Sequence, residues 1–208
     1  MISCADDEGC EIKDLAPVTS EDIAACQEKW ANAIQHISAT YAKDGDYVGA
    51  AGEAAGELYG YGHTDVLFKP TKATDNPFRP DGESAMSYFV GADAMGNEKY
   101  KGEDAGFAIN GGKGWSKVVF TNHATEYSGN VAFAMGSYDF TCATTGEVST
   151  VEYTFGYKRC DDGKVRIFLH HSSVPCEFDA HASDGSLTSV SHGYSSTMRV
   201  SAWLRYML

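Results

Sequence analysis

The residues best suited to chemistry lie together in the run VRIFLHHSSV, Val165 to Val174, where an apolar stretch ends in two histidines and two serines. An imidazole titrates near neutral pH, and hydroxyls orient water and small oxyanions. Side chains alternate along a strand, so Val165, Ile167, Leu169, His171 and Ser173 share one face, and Arg166, Phe168, His170 and Ser172 share the other. The first face is the apolar one. Alternation therefore predicts that His171 and Ser173 end a buried face. It also points His170 and His171 apart, so the two do not share one metal ion. Burying an imidazole and a hydroxyl without partners costs roughly 1–3 kcal/mol each, so they must bond to each other, to water or to other pocket groups. On this pattern alone two readings stay open: a small-molecule site, or a satisfied core histidine beside a strand-terminal serine.

The other histidines, His36, His63, His123, His181 and His192, are scattered over helix, turn and linker contexts and read as solvated or structural. No HxH, HxxxH or paired-carboxylate cluster occurs, so the sequence offers no three convergent ligands for a metal. GxGxxG, GKS/T and GxSxG are also missing, which removes the dinucleotide, P-loop and α/β-hydrolase readings. The six cysteines form no CxxC pair. Cys142, Cys160 and Cys176 read as small apolar fillers at strand ends, with a disulfide among them open in an oxidising compartment.

The elements that must position the run can be read along the 208 residues. Residues 1–16 are polar and acidic and read as a loose leader. A long helix follows, with a capping box at Thr19 and Asp22, an apolar stripe of Ile23, Cys26, Trp30, Ile34, Ile37 and Tyr41, and Gly45 as its C-terminal cap. A second, Ala- and Gly-rich helix spans YVGAAGEAAGELYGYG. DVLFKP is a short strand ended by Pro70. A third helix runs from Asp81 to Gly91, and 92–114 reads as mostly loop. Four aromatic and β-branched runs then begin at Trp115, Asn130, Val148 and Lys164, separated by hairpin signals that predict an antiparallel meander. Val151, Tyr153, Phe155 and Tyr157 share one face of the third run. Residues 180–208 form a Ser-rich linker and a terminal segment, leaving 17–179 as the domain. The fold class is α+β: a curved antiparallel β-sheet wrapped around a long N-terminal helix, leaving a conical cavity.

A formal net charge of −13 argues against nucleic acid or an acidic membrane surface as partner. No apolar run approaches the roughly 18 residues that a membrane span needs.

This order of elements resembles the nuclear-transport-factor-2-like cone and, more closely, the association domain of calmodulin-dependent kinase II. Within that superfamily, VLFKPTKA, FRPDGESAMSYFVG and VRIFLHHSSVP together resemble the iota-class carbonic anhydrases, over roughly Val18 to Phe178. Members often carry three histidines in the last motif, and here Leu169 takes the first position. The resemblance implies CO2 hydration and bicarbonate dehydration in the cone. It implies a site of a threonine, a tyrosine, and a histidine and serine of the motif, matching Thr71, Tyr88, His171 and Ser173, with Ile167 and Leu169 as apolar walls for CO2. Some members of the family use manganese and others no metal. The lack of a ligand set favours no cofactor over manganese or zinc. His171 would act as proton acceptor, or would only fix the hydroxyls' hydrogen bonds. The resemblance further implies a homodimer and an algal plastid, with a bacterial cytoplasm or periplasm as the alternative compartment. Two competing readings remain: a non-enzymatic oligomerisation module, and a cone isomerase for a larger organic ligand with Asp139 as its carboxylate.

Overall fold

The computed structural model describes residues 15–176. The expected tail of 180–208 and almost all of the expected leader lie outside the described residues. The compact unit built by the described elements ends at Pro175.

Helix α1, Ser20–Tyr41, begins where its sequence signal lies: the Thr19 hydroxyl accepts from the Asp22 N–H at 3.2 Å, and the Asp22 carboxylate accepts from the Thr19 N–H at 2.9 Å. Its C-terminus differs from expectation. The helix stops at Tyr41, and Asp44 rather than Gly45 takes the left-handed conformation at φ 54°. An aspartate tolerates that region because its short side chain can bond locally. The stripe of Ile23, Cys26, Trp30, Ile34 and Ile37 is buried. Helix α2, Tyr47–Leu58, lays Ala51, Ala54, Ala55 and Leu58 alongside Ile34 and Ile37 of α1, the close approach its small residues permit.

Strand β1, Leu67–Lys69, precedes helix α3, Gly82–Val90, whose N-cap is Asp81. The stretch expected as loop holds a single-turn helix α4, Ala92–Met95, and two 3-10 turns. Strands β2 (Trp115–Ser128), β3 (Val131–Cys142), β4 (Val148–Arg159) and β5 (Val165–Ser173) form the expected antiparallel meander. The sheet order is β1-β5-β4-β3-β2, and β1 joins the edge in parallel, with Leu67 opposite Leu169 and Lys69 opposite His171.

The α+β architecture thus stands, with α1 packed on the inner face of the sheet. Trp30 is the centre of that contact: it stacks on Tyr138 at 5.6 Å and meets Phe120, Phe140 and Phe155 edge-on at 5.6 to 6.1 Å. Val151, Tyr153, Phe155 and Tyr157 are all buried on the inner face, as their alternation predicts. Cys26, Cys142 and Cys160 are free and buried. Cys176 is free but exposed, so it is no core filler.

Three register shifts interrupt the strand pairs, and two of them bear on the interior. In β2 the register slips between Asn122 and Ala124, opposite Gly136. In β5 it slips around Phe168, opposite Gly156. A Cβ on Gly136 would lie 2.0 Å from the Thr121 carbonyl oxygen, and one on Gly156 would lie 2.8–2.9 Å from the Phe168 ring and the Leu169 Cβ. Each glycine makes room for a strand that must bend toward it.

Candidate active site

The β5 bulge decides which side chains face the interior. Ile167 is fully buried, as its face predicts. Phe168 and Leu169 then both turn outward against Gly156, and Phe168 meets the half-exposed Phe133 at 5.8 Å. From there the parity is reversed. His170 and Ser172 point inward, at 3% and 1% exposure, while His171 is exposed. Ser173 is half-buried and donates to the Glu152 carboxylate at 3.2 Å. The expected inward placement of His171, Ser173 and Leu169 is therefore corrected. Regular alternation was extended through a bulge, and one extra residue exchanges the faces.

His170 sits in an aromatic box, its ring 4.1 Å from Phe155, 4.6 Å from Phe68 and 6.0 Å from both Tyr59 and Trp30. Both ring nitrogens are engaged. The Trp30 Nε1–H can only donate, and it does so to the Tyr59 hydroxyl oxygen at 3.0 Å. That leaves the Tyr59 O–H to donate to His170 Nδ1 at 2.7 Å. The chain of donors assigns the Nε2–H tautomer, which donates to Ser172 Oγ at 2.8 Å. Ser172 Oγ in turn shares a short hydrogen bond with the Tyr138 hydroxyl. Burial, and secondarily the neighbouring His171, pushes the His170 imidazole well below its ordinary value, so the ring is neutral at pH 7.

Thr71 and Tyr88 join the same cluster of hydroxyls. Thr71 follows β1, and its hydroxyl neighbours both Tyr88 and Tyr138. Tyr88 projects from α3 and stacks on Phe107 at 5.4 Å. Its hydroxyl is buried and meets full hydrogen-bond geometry with no described residue, although Thr71 and the Lys72 backbone lie near it. Desolvation raises the phenols of Tyr59, Tyr88 and Tyr138, so all three stay protonated as donors. The structure thus brings Thr71, Tyr88, Tyr138, His170 and Ser172 together, excludes His171, Ser173 and Leu169, and leaves Ile167 in the core below. Asp139, the carboxylate of the isomerase reading, lies on the outward side of β3 and accepts from Thr150 at 2.7 Å.

A second polar cluster lies on the α1 side of the sheet. Gln27 Nε2 shares its two N–H groups among Asn122 Oδ1 at 2.8 Å and the Tyr153 and Tyr157 hydroxyls at 3.2 Å each, and Asn122 reaches inward at the β2 bulge. Among the described residues no three His, Cys, Asp or Glu side chains converge as a ligand set for a metal ion.

An aromatic box with converging hydroxyls and one neutral imidazole suits a small, weakly polar substrate that becomes an oxyanion. Residues 21–174 match the family model described as metal-independent carbonic anhydrase. The chain belongs to that family. It is 37% identical over 163 residues to a metal-independent carbonic anhydrase of Nostoc sp. (strain PCC 7120), covering 77% of this chain and 75% of the relative. It also superposes on the crystal structure of a cyanobacterial iota-carbonic anhydrase complexed with bicarbonate, with a TM-score of 0.69 and 36% identity over 77% of this chain and 94% of that one. The metal-independent carbonic anhydrase family agrees with the expected iota-class resemblance and with the expectation that no metal is used. It does not favour a purely structural oligomerisation module.

Sequence reasoning missed Tyr59 and Tyr138, which fix the histidine and the serine from distant elements. It also missed the change of face on β5. A signal for the latter was present: an isolated glycine inside a strand pattern, Gly156 in TFGYK, marks a bulge or a close approach.

Proposed function

We propose that this carbonic anhydrase hydrates CO2 and dehydrates bicarbonate in the pocket of Thr71, Tyr88, Tyr138, His170 and Ser172. The observation that carries the reading is the Tyr88 hydroxyl, buried beside Thr71 and meeting full hydrogen-bond geometry with no described residue. A buried donor without a partner costs roughly 1–3 kcal/mol, and a bicarbonate oxygen would satisfy it. The aromatic walls accept CO2, which has no charge to desolvate. Ser172 and Thr71 orient the attacking water. As its oxygen bonds to the CO2 carbon, the charge that develops on the CO2 oxygens meets O–H donors that are already in place. The water's proton leaves to solvent through exchange along the hydroxyls, none of which becomes charged. His170 serves as a fixed donor to Ser172 rather than as the proton acceptor, since its Nδ1 is capped by Tyr59 and its basicity is suppressed by burial.

Stopped-flow CO2 hydration on chelator-treated protein tests this reading. Full activity is expected without metal. Activity lost on chelation and restored by manganese or zinc would contradict it.

We further propose that two copies pair through the outer face of the sheet. Val119, Phe133 and Met135 project from β2 and β3 on that side, and Met135 is 55% exposed. An algal plastid is the proposed compartment. No helix among the described residues is long and apolar enough to cross a membrane.

A further inference from the structure

A cleft of about 310 Å³ opens beside Tyr88, walled by Lys72, Glu103, Asp104, Phe107 and Lys113. Its two acids are already compensated. The Glu103 carboxylate accepts from the backbone N–H groups of Thr74, Asp75 and Asn76 and lies 3.9 Å from Arg79. Asp104 accepts from Arg79 at 2.8 Å and from the Ser87 hydroxyl at 2.7 Å. Arg79 is wholly buried over the Tyr100 ring at 3.9 Å, with Nε and Nη1 unpartnered. Lys72 and Lys113 are exposed, and neither forms an ion pair among the described residues. Two lysines and two acids thus wall the cleft, and the buried Arg79 behind the acids leaves the lysines as its uncompensated charges, in a chain whose formal net charge is −13. CO2 gains nothing from such a field, whereas an anion does.

We propose that this cleft is an anion port, through which Lys72 and Lys113 draw bicarbonate to Tyr88 and against the repulsion of the acidic molecule. The port rests on the reading of the pocket given above. A local excess of one sign raises the concentration of the opposite charge and speeds its arrival, and the effect weakens as salt screens it. Because the lysines lie at the surface, the port acts on the anionic partner of the reaction and leaves the neutral one alone.

The test is product inhibition of CO2 hydration by added sodium bicarbonate, measured at low ionic strength. The double variant Lys72→Gln/Lys113→Gln is expected to raise the bicarbonate inhibition constant about three- to tenfold with KM for CO2 unchanged. The gap should close when the ionic strength is raised to about 1 M. Lys72→Arg/Lys113→Arg should restore the original value. Lys29→Gln/Lys164→Gln, which carries the same change in net charge beside Glu57, outside the residues that wall the cleft, should leave it unaltered. Equal inhibition constants in the Gln double variant and the unsubstituted protein would overturn the port, as would an equal shift in the Lys29/Lys164 control. Absence of CO2 hydration in the unsubstituted protein would instead overturn the reading of the pocket, and the port with it.

Discussion

At the scale of single residues, the proposed reaction turns on the neutral His170. A general base is most useful when its pKa lies near the working pH. Burial moves this imidazole away from that range, and the Trp30–Tyr59 pair occupies the nitrogen that would have to accept a proton. The pH dependence follows. The dependence of kcat/KM for hydration should show no inflection in the ordinary imidazole range near 6.5. Stopped-flow rates from pH 5.5 to 9 check this, and an inflection near 6.5 that disappears in His170→Asn would contradict it. The proximity of Tyr88 and Thr71 was legible from motif resemblance because each is part of a local segment, KPTKA and SYFVG. Tyr59 and Tyr138 carry no such mark. Their importance arises from where α2 and β3 deliver them, a long-range consequence of the fold.

At the scale of elements, helix starts were legible because caps are local: Thr19 with Asp22, and Asp81 ahead of α3, each satisfy N–H groups within a turn. The inner face of β4 was legible because that strand is regular. The face of β5 was not, because its parity is set by a neighbour. Gly156 lets Phe168 and Leu169 crowd outward together, and that crowding turns His170 and Ser172 in. Gly156→Ala places a methyl against the Phe168 ring and the Leu169 Cβ. It is expected to cost about 1–3 kcal/mol in urea unfolding. It should also lower hydration activity, because the bulge that aims His170 must shift. Unchanged stability and activity would show that the bulge does not depend on the glycine. The parallel pairing of β1 with β5 was likewise hidden: three residues carry no signal of direction, yet the pairing sets Thr71 at the end of β1 beside the Ser172 side of the pocket.

At the scale of the whole molecule, the sheet separates two environments. Its inner face holds the aromatic box and the hydroxyl cluster. Its outer face carries Met135, Glu152, Thr154, His171 and Ser173 along a broad groove of about 730 Å³. If copies pair across that face, Met135→Glu should convert a dimer into a monomer in sedimentation at micromolar concentration while hydration by each chain persists. A monomeric unsubstituted protein would contradict the pairing. The same separation supplies the sharpest test of the pocket, because adjacent residues of one motif fall on opposite sides. Stopped-flow CO2 hydration should be compared for His170→Ala and Ser172→Ala against His171→Ala and Ser173→Ala, with folding checked by circular dichroism. The first pair is expected to lose about a hundredfold in kcat/KM, as removal of a positioned donor does elsewhere. The second pair is expected to stay within about twofold of the unsubstituted protein, since neither side chain reaches the inner face and positions away from the chemistry change little. The opposite ranking, with folded His171→Ala and Ser173→Ala inactive and His170→Ala and Ser172→Ala active, would contradict the placement of the reaction on the inner face.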